Sequence, residues 1–348
     1  MDLGKNAHIR LNPEDEYMHP IEAASNFNES MYINLFDHQQ KLGGWFRVGN
    51  RPNEGHAEMS FCFYLPDGKV AFMFQRASID NNDALDAGGM KFEVIEPFKT
   101  LKVTYQGKAC LMANPQDMEN PKAAFKNNPL VEASAEITFN GITPVYGGEA
   151  VDDNGNPIEE APEESFARAH YEQHMSGSGT VTIGDQTIEF SGFGMRDHSW
   201  GPRYWQNLYW YRWLPMVFND QFAINISIVQ MASGRQHVWG MVYDTRNGGP
   251  PEYDLIETAT LSSTLDDKDQ AQAQVSEFTT VSGRRYHVTG EALALIPLRN
   301  RRQTDTGEWR NTRITEAMSR FECDGCVGYG MSEYLDQIVD GKPVGIAC

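Results

Sequence analysis

The chain has 348 residues, 40% of them hydrophobic, and a formal net charge of −19 at pH 7. That length holds two ordinary domains or one large one, with enough core to enclose a cavity. The acidic balance excludes nucleic acid and anionic membrane as main partners, because both need a basic surface to displace counterions. With no apolar run of membrane-spanning length and no charged-then-apolar leader at Met1, the expectation is a cytoplasmic protein without a membrane span.

Residues 13–26 and 121–125 carry weak helical patterns without a long apolar stripe, so helices are expected to be few and short. Elsewhere the period is two, as in residues 101–105, 131–139, 180–183, 222–228, 238–243, 286–289 and 293–296. Pro66-Asp67-Gly68, Asn140-Gly141, Asp153-Asn154-Gly155, Asn247-Gly248-Gly249 and Ser282-Gly283 separate these runs as turns. Many short strands with regular turns predict an all-β protein of antiparallel sandwich or barrel type. Residues 147–167 are rich in Gly, Asp, Asn, Pro and Glu and read as a long loop; the acidic tract within it reads as solvation.

His170, Glu172 and His174 share one face if their segment is a strand, but they lack the helical spacing of a zinc protease, and no metal is expected. Five cysteines without framework spacing fit a reducing compartment, and the lone Cys323-x-x-Cys326 lacks the second ligand pair that zinc needs. There is neither a phosphate-binding loop nor a nucleophile elbow around Ser199, so no nucleotide cofactor and no hydrolase triad are expected.

The most informative stretch is Arg196-Asp197-His198-Ser199-Trp200-Gly201-Pro202-Arg203, which runs into a segment made largely of Trp and Tyr. A carboxylate beside an imidazole, desolvated between aromatic walls, exchanges protons near neutrality. Asp197 and His198 are therefore the expected catalytic pair, with Arg196 and Arg203 as structural support through bidentate pairing. The competing reading is a set of structural ion pairs. Trp200, Trp205, Tyr209 and Trp210 are suited to hold a cationic intermediate against their faces. Alternation over 208–213 then separates Tyr209 and Tyr211, expected to line the cavity, from Trp210, expected to pack between domains with Arg212 on its face.

Gly192-Phe193-Gly194-Met195-Arg196-Asp197-His198-Ser199-Trp200-Gly201-Pro202-Arg203 resembles the signature of the AttH-like and carotenoid hydratase (hydroxyneurosporene synthase) superfamily. Tyr171-Glu172-Gln173, Gly43-Gly44-Trp45-Phe46-Arg47, Arg51-Pro52-Asn53 and the segment from Gly328 to Leu335 add to the resemblance. It implies two lipocalin-like β-barrel domains, here placed at 1–195 and 196–348 with the motif at their junction. It also implies cofactor-free chemistry on apolar, isoprenoid-like substrates, including hydration and, in related Diels-Alderase-like proteins, ring formation. His198 and Trp200 match the implicated His and Trp, and Tyr171 and Gln173 become pocket residues. The implicated downstream Tyr and Asp are not convincingly matched, because the strand at that distance offers Asn225 and Ser227, and Asn225 is expected among the substrate-binding residues. The expected function is a cofactor-independent lyase or isomerase acting on a hydrophobic terpenoid- or steroid-like molecule. A non-catalytic lipid or isoprenoid carrier and a pericyclase-like enzyme that only preorganises its substrate are the alternatives.

Overall fold

The computed structural model describes residues 7–158, 166–303 and 309–347. The protein is all-β, as the period-two runs require, and it divides into two compact units. The first comprises residues up to 65, 71–111 and 128–205, and the second comprises Pro66–Val70, Met112–Asn127 and the chain from Gln206 onward. The expected boundary at 195/196 falls inside a strand that continues to Pro202, so the whole motif up to Arg203 belongs to the first unit.

The strands of the first sheet are β1 (Ala7–Arg10), β2 (Phe27–Asp37), β3 (Leu42–Arg51), β4 (His56–Tyr64), β5 (Val70–Ser78), β6 (Asp86–Ala87), β7 (Met90–Glu96), β8 (Thr100–Met112), β9 (Leu130–Gly141), β10 (Tyr146–Asp152), β11 (Ala169–Ile183) and β12 (Gln186–Pro202). Their order is β1-β10-β11-β12-β2-β3-β4-β5-β8-β7-β6, and β9 pairs with both β8 and β11, so the sheet curls back on itself. Directly opposed residues share a face. The register therefore puts Leu35, Phe46, Phe61, Phe63, Val103, Tyr105, Ile137, Phe139 and Phe190 on one inward face, all buried. Contacts across the interior confirm it: Phe63 meets Phe190 edge-on at 5.3 Å and Phe61 stacks on Tyr105 at 4.6 Å.

The second sheet consists of β13 (Leu208–Asn219), β14 (Phe222–Met231), β15 (Gln236–Asp244), β16 (Tyr253–Leu265), β17 (Ala271–Thr280), β18 (Arg285–Gln303), β19 (Trp309–Cys323), β20 (Cys326–Val339) and β21 (Lys342–Pro343). Pairing of β13 with β20 closes β13 to β20 into an eight-stranded antiparallel barrel. Its core gathers Leu214, Met216, Phe222, Ile224, Ile226, Ile228 and Trp210.

Two local expectations are corrected. The loop expected over 147–167 begins as strand β10, whose edges are taken by β1 and β11; residues 159–165 of that loop lie outside the described residues. The helix expected over 13–26 is a single 3-10 turn at Pro13–Glu16, because its Glu16 side chain is drawn into the interior of the sheet. The helical pattern near 121 is α1 (Pro121–Asn127).

Candidate functional site

The motif strand β12 lies between β11 and β2, and its period of two distributes the motif over two faces. Arg196, His198 and Trp200 point inward, opposite Gln173, Tyr171 and Ala169 of β11 and Ile33, Met31 and Glu29 of β2. Asp197 and Ser199 point outward, opposite Glu172 and His170 on one side and Tyr32 and Ser30 on the other. The expected catalytic pair is thus split, since neighbours in a strand cannot share a face.

The inward group closes one end of the curled sheet with a buried polar network. Arg196 pairs with both oxygens of Glu16 and donates to Gln173 Oε1, at 3.1 Å from Nε and 2.8 Å from Nη2. Gln173 passes its own amide hydrogens to the carbonyls of Phe98 and Thr143. The Tyr171 hydroxyl donates to Glu16 at 3.0 Å and lies 3.2 Å from His198 Nδ1. His198 Nε2 and His19 Nδ1 both meet Glu29 Oε1, at 3.0 and 2.7 Å, while Asn82 donates to Oε2 at 2.6 Å. His19 stacks on Trp200 with centroids 4.0 Å apart.

Burial opposes the charge on Glu29, but its hydrogen bonds from His19 and His198 hold the carboxyl at about 2. These groups are largely satisfied by one another, with His19 Nε2 left without a hydrogen bond and 3.5 Å from Asp15. Such buried networks specify a structure, and breaking them is costly. Arg196, His198, Trp200, Tyr171 and Gln173 are placed in this one network. Glu16, His19, Glu29 and Asn82 were not foreseen from the sequence.

Ligating atoms of His19, Glu29 and His198 lie within 4.8 Å of one another, the one such group among the described residues. The two imidazole nitrogens share a single carboxylate oxygen at hydrogen-bond distance, which accounts for their approach by proton bonding alone. His170 and Glu172 do share a face, 3.7 Å apart, as strand alternation requires.

The outward face is chemically different. Asp197 remains partly accessible, and among the described residues no side chain hydrogen-bonds its carboxyl. Burial pushes that carboxyl up to about 6 against the pull of Arg203, Arg47 and His198. Burial, with the positive charge of Arg203, likewise lowers the His170 imidazole to about 3 and keeps it neutral, although 36% of its side chain is accessible. Arg203 donates to Ser199 Oγ, whose oxygen is 3.2 Å from that of Ser30, and lies over the Phe166 ring at 4.3 Å. Trp205, in the turn that follows, meets Phe166 edge-on. An acid with a pKa displaced toward neutrality beside permanent cations can donate a proton and be stabilised after losing it.

The remaining predicted residues belong to the second unit. Tyr209 is 38% exposed; Tyr211 donates to Glu333; Asn225 is buried on the same outward face as Ser227. Trp210 is core of the second barrel, which corrects the expectation that it packs between domains. Arg212 shares that interior and is paired with Asp336 at 2.9 Å. A bulge between Leu208 and Trp210 sets this register.

No helix among the described residues is long and apolar enough to cross a membrane. Among solved structures, the chain is similar to a protein described as AttH from Nitrosomonas europaea, with TM-score 0.53 and 11% identity over 91% of this chain and 96% of that one. It is also similar to CghA with Sch210972, with TM-score 0.52 and 10% identity over 90% and 89%. A third is kievitone hydratase from Nectria haematococca, with TM-score 0.51 and 9% identity over 91% and 93%. At these identities the likeness is one of fold, and it is the fold that the AttH-like resemblance implied. No curated protein matches the chain. Residues 12–338 match the family model described as a domain of unknown function, DUF7064, and the chain belongs to that family.

Proposed function

We propose that the protein is a cofactor-independent lyase or isomerase of hydratase, dehydratase or cyclase type, acting on a hydrophobic small molecule of terpenoid or steroid kind in the cytoplasm. The observation that carries this reading is Asp197: a partly accessible residue whose carboxyl is raised by burial to about 6, without a hydrogen-bonding side chain among the described residues, on a face with Arg203 and a neutral His170. In the forward direction the Asp197 carboxyl transfers its proton to an alkene carbon, leaving a carbocation and a carboxylate. Water then adds and returns one proton to Asp197, or a second alkene closes a ring and a neighbouring C–H supplies that proton. Dehydration is the reverse. A general acid of this kind contributes on the order of 10²- to 10⁴-fold in rate. The fold shared with a protein named kievitone hydratase supports the reading by analogy alone. His198 acts in this account as a structural member of the inward network, not as the partner base.

The test is incubation with prenyl and terpenoid alkenes and allylic alcohols in D2O, followed by mass spectrometry. The wild type should deliver deuterium to carbon, and Asp197→Asn should lose at least 100-fold of that rate while still binding. Ligand binding without turnover in both proteins would favour the carrier. Turnover without deuterium transfer, unchanged in Asp197→Asn, would favour ring closure by preorganisation.

A further inference from the structure

The outward face holds a further charged side chain that the inward network does not use. Arg47 on β3 is opposite Tyr32, which is opposite Asp197, so the three residues form one row across adjacent strands. Two strand spacings put the Arg47 and Asp197 backbones roughly 10 Å apart. Among the described residues the Arg47 guanidinium makes no hydrogen bond; its one ion pair, to Glu58, is 3.8 Å long, and Glu58 is held more closely by Arg76 at 3.1 Å. The Arg47 side chain is 18% accessible. It lies over Gly49, two residues on along the same face, where a Cβ would meet Nη2 at 2.8 Å. A guanidinium presents a planar fork of donors matched to a carboxylate, and leaving such donors unused near a desolvated acid is costly.

We propose that Arg47 anchors an anionic oxygen group of the substrate, so that the protein selects apolar acids, with a carboxylate or enolate at Arg47 and the reacting carbon toward Asp197. This rests on the reading of Asp197 as the proton donor and narrows its substrate class. The span between the two residues accommodates a carboxylate and a few further carbons. A substrate anion seated at Arg47 also brings a like charge toward Asp197 and favours its protonated form, the state a proton donor needs. The gap over Gly49 gives the fork its place.

The probes are geranic acid and its methyl ester, which share a skeleton and differ in charge, titrated calorimetrically at pH 8 into the full chain. Wild type should bind the acid at least 10-fold more tightly, as a charge-assisted bidentate pair implies. Arg47→Gln should bring the two within about 3-fold, and Arg47→Lys should restore part of the preference as a point charge. Gly49→Ala should erode the preference without removing any charge; the displaced group is the tip of a flexible side chain, so this variant keeps its fold. Asp197→Asn should keep the preference or strengthen it, because at pH 8 it removes a like charge from the site. Equal affinities in wild type, no binding of either probe, or a preference that survives Arg47→Gln would overturn the proposal. Loss of deuterium transfer in Asp197→Asn without any acid preference would overturn the substrate class alone, whereas acid preference with a fully active Asp197→Asn would overturn the proton donor alone.

Discussion

Replacing Asp197 by Asn should make the protein more stable and less active, with a gain that depends on pH in a defined direction. The carboxyl is raised from 3.8 to about 6, so the folded state holds its proton more tightly than the unfolded chain does. For an acid shifted upward, stability falls as pH rises from about 4 through 6, and the loss is complete above that window. A shift of about 2 units corresponds to about 3 kcal/mol, an upper bound because the group is partly accessible to water. Asn is isosteric and never ionises. At pH 8 the variant should therefore exceed wild type by about 1–3 kcal/mol in urea melts, and at pH 4 the two should coincide. In the same preparations turnover should fall by 10²-fold or more. A variant equal to or weaker than wild type at pH 8, with native m-values, would refute the claim that the carboxylate is held in a desolvated site.

Other consequences follow from the same geometry. His198→Ala should lower stability by about 3–5 kcal/mol in denaturant melts, because it removes one of the hydrogen bonds that compensate the buried Glu29 carboxylate. Glu29 is depressed to about 2, so its contribution is complete above about pH 4.5 and lost as pH falls toward 2; Glu29→Gln should flatten that acid limb. Trp210→Ala, in the second barrel's core, should cost about 3–5 kcal/mol, whereas Tyr209→Ala, at an exposed position, should stay within about 0.5 kcal/mol of wild type. Exhaustive dialysis against a chelator should leave activity unchanged, since His19 Nδ1 and His198 Nε2 are both engaged by Glu29 Oε1; stoichiometric zinc lost on His19→Ala would contradict this.

The sheet was legible because alternation survives in single segments: Phe222 to Ile228 reads the same in sequence and in β14. The motif was legible as a location and less so as a mechanism. Asp197 and His198 attract attention by adjacency, yet alternation, applied to residues 208–213 to separate Tyr209 from Trp210, separates this pair too. His198, Trp200, Tyr171 and Gln173 come together because the register of β11 with β12 joins them, and they meet in the barrel-like interior as a hydrogen-bonded network. Glu16, His19 and Glu29 lie more than 160 residues from the motif, and only strand register brings them to it. One local signal existed: Glu29 stands two places after Phe27 and two before Met31 on the same face of a strand, where an unpaired charge is not tolerated. Arg47-x-Gly49 was a similar signal, a long cation with a same-face neighbour that leaves it room.

The reading rests on the outward carboxyl of Asp197 titrating near 6, well above the ordinary aspartate value. Carboxyl ¹³C NMR titration of aspartate-labelled protein, with Asp197→Asn supplying the assignment by difference, reads this directly. The expected resonance is missing from the variant and titrates near 6 in wild type, moving upward when geranic acid is bound. An inflection at or below the ordinary aspartate value of about 3.9 would contradict it.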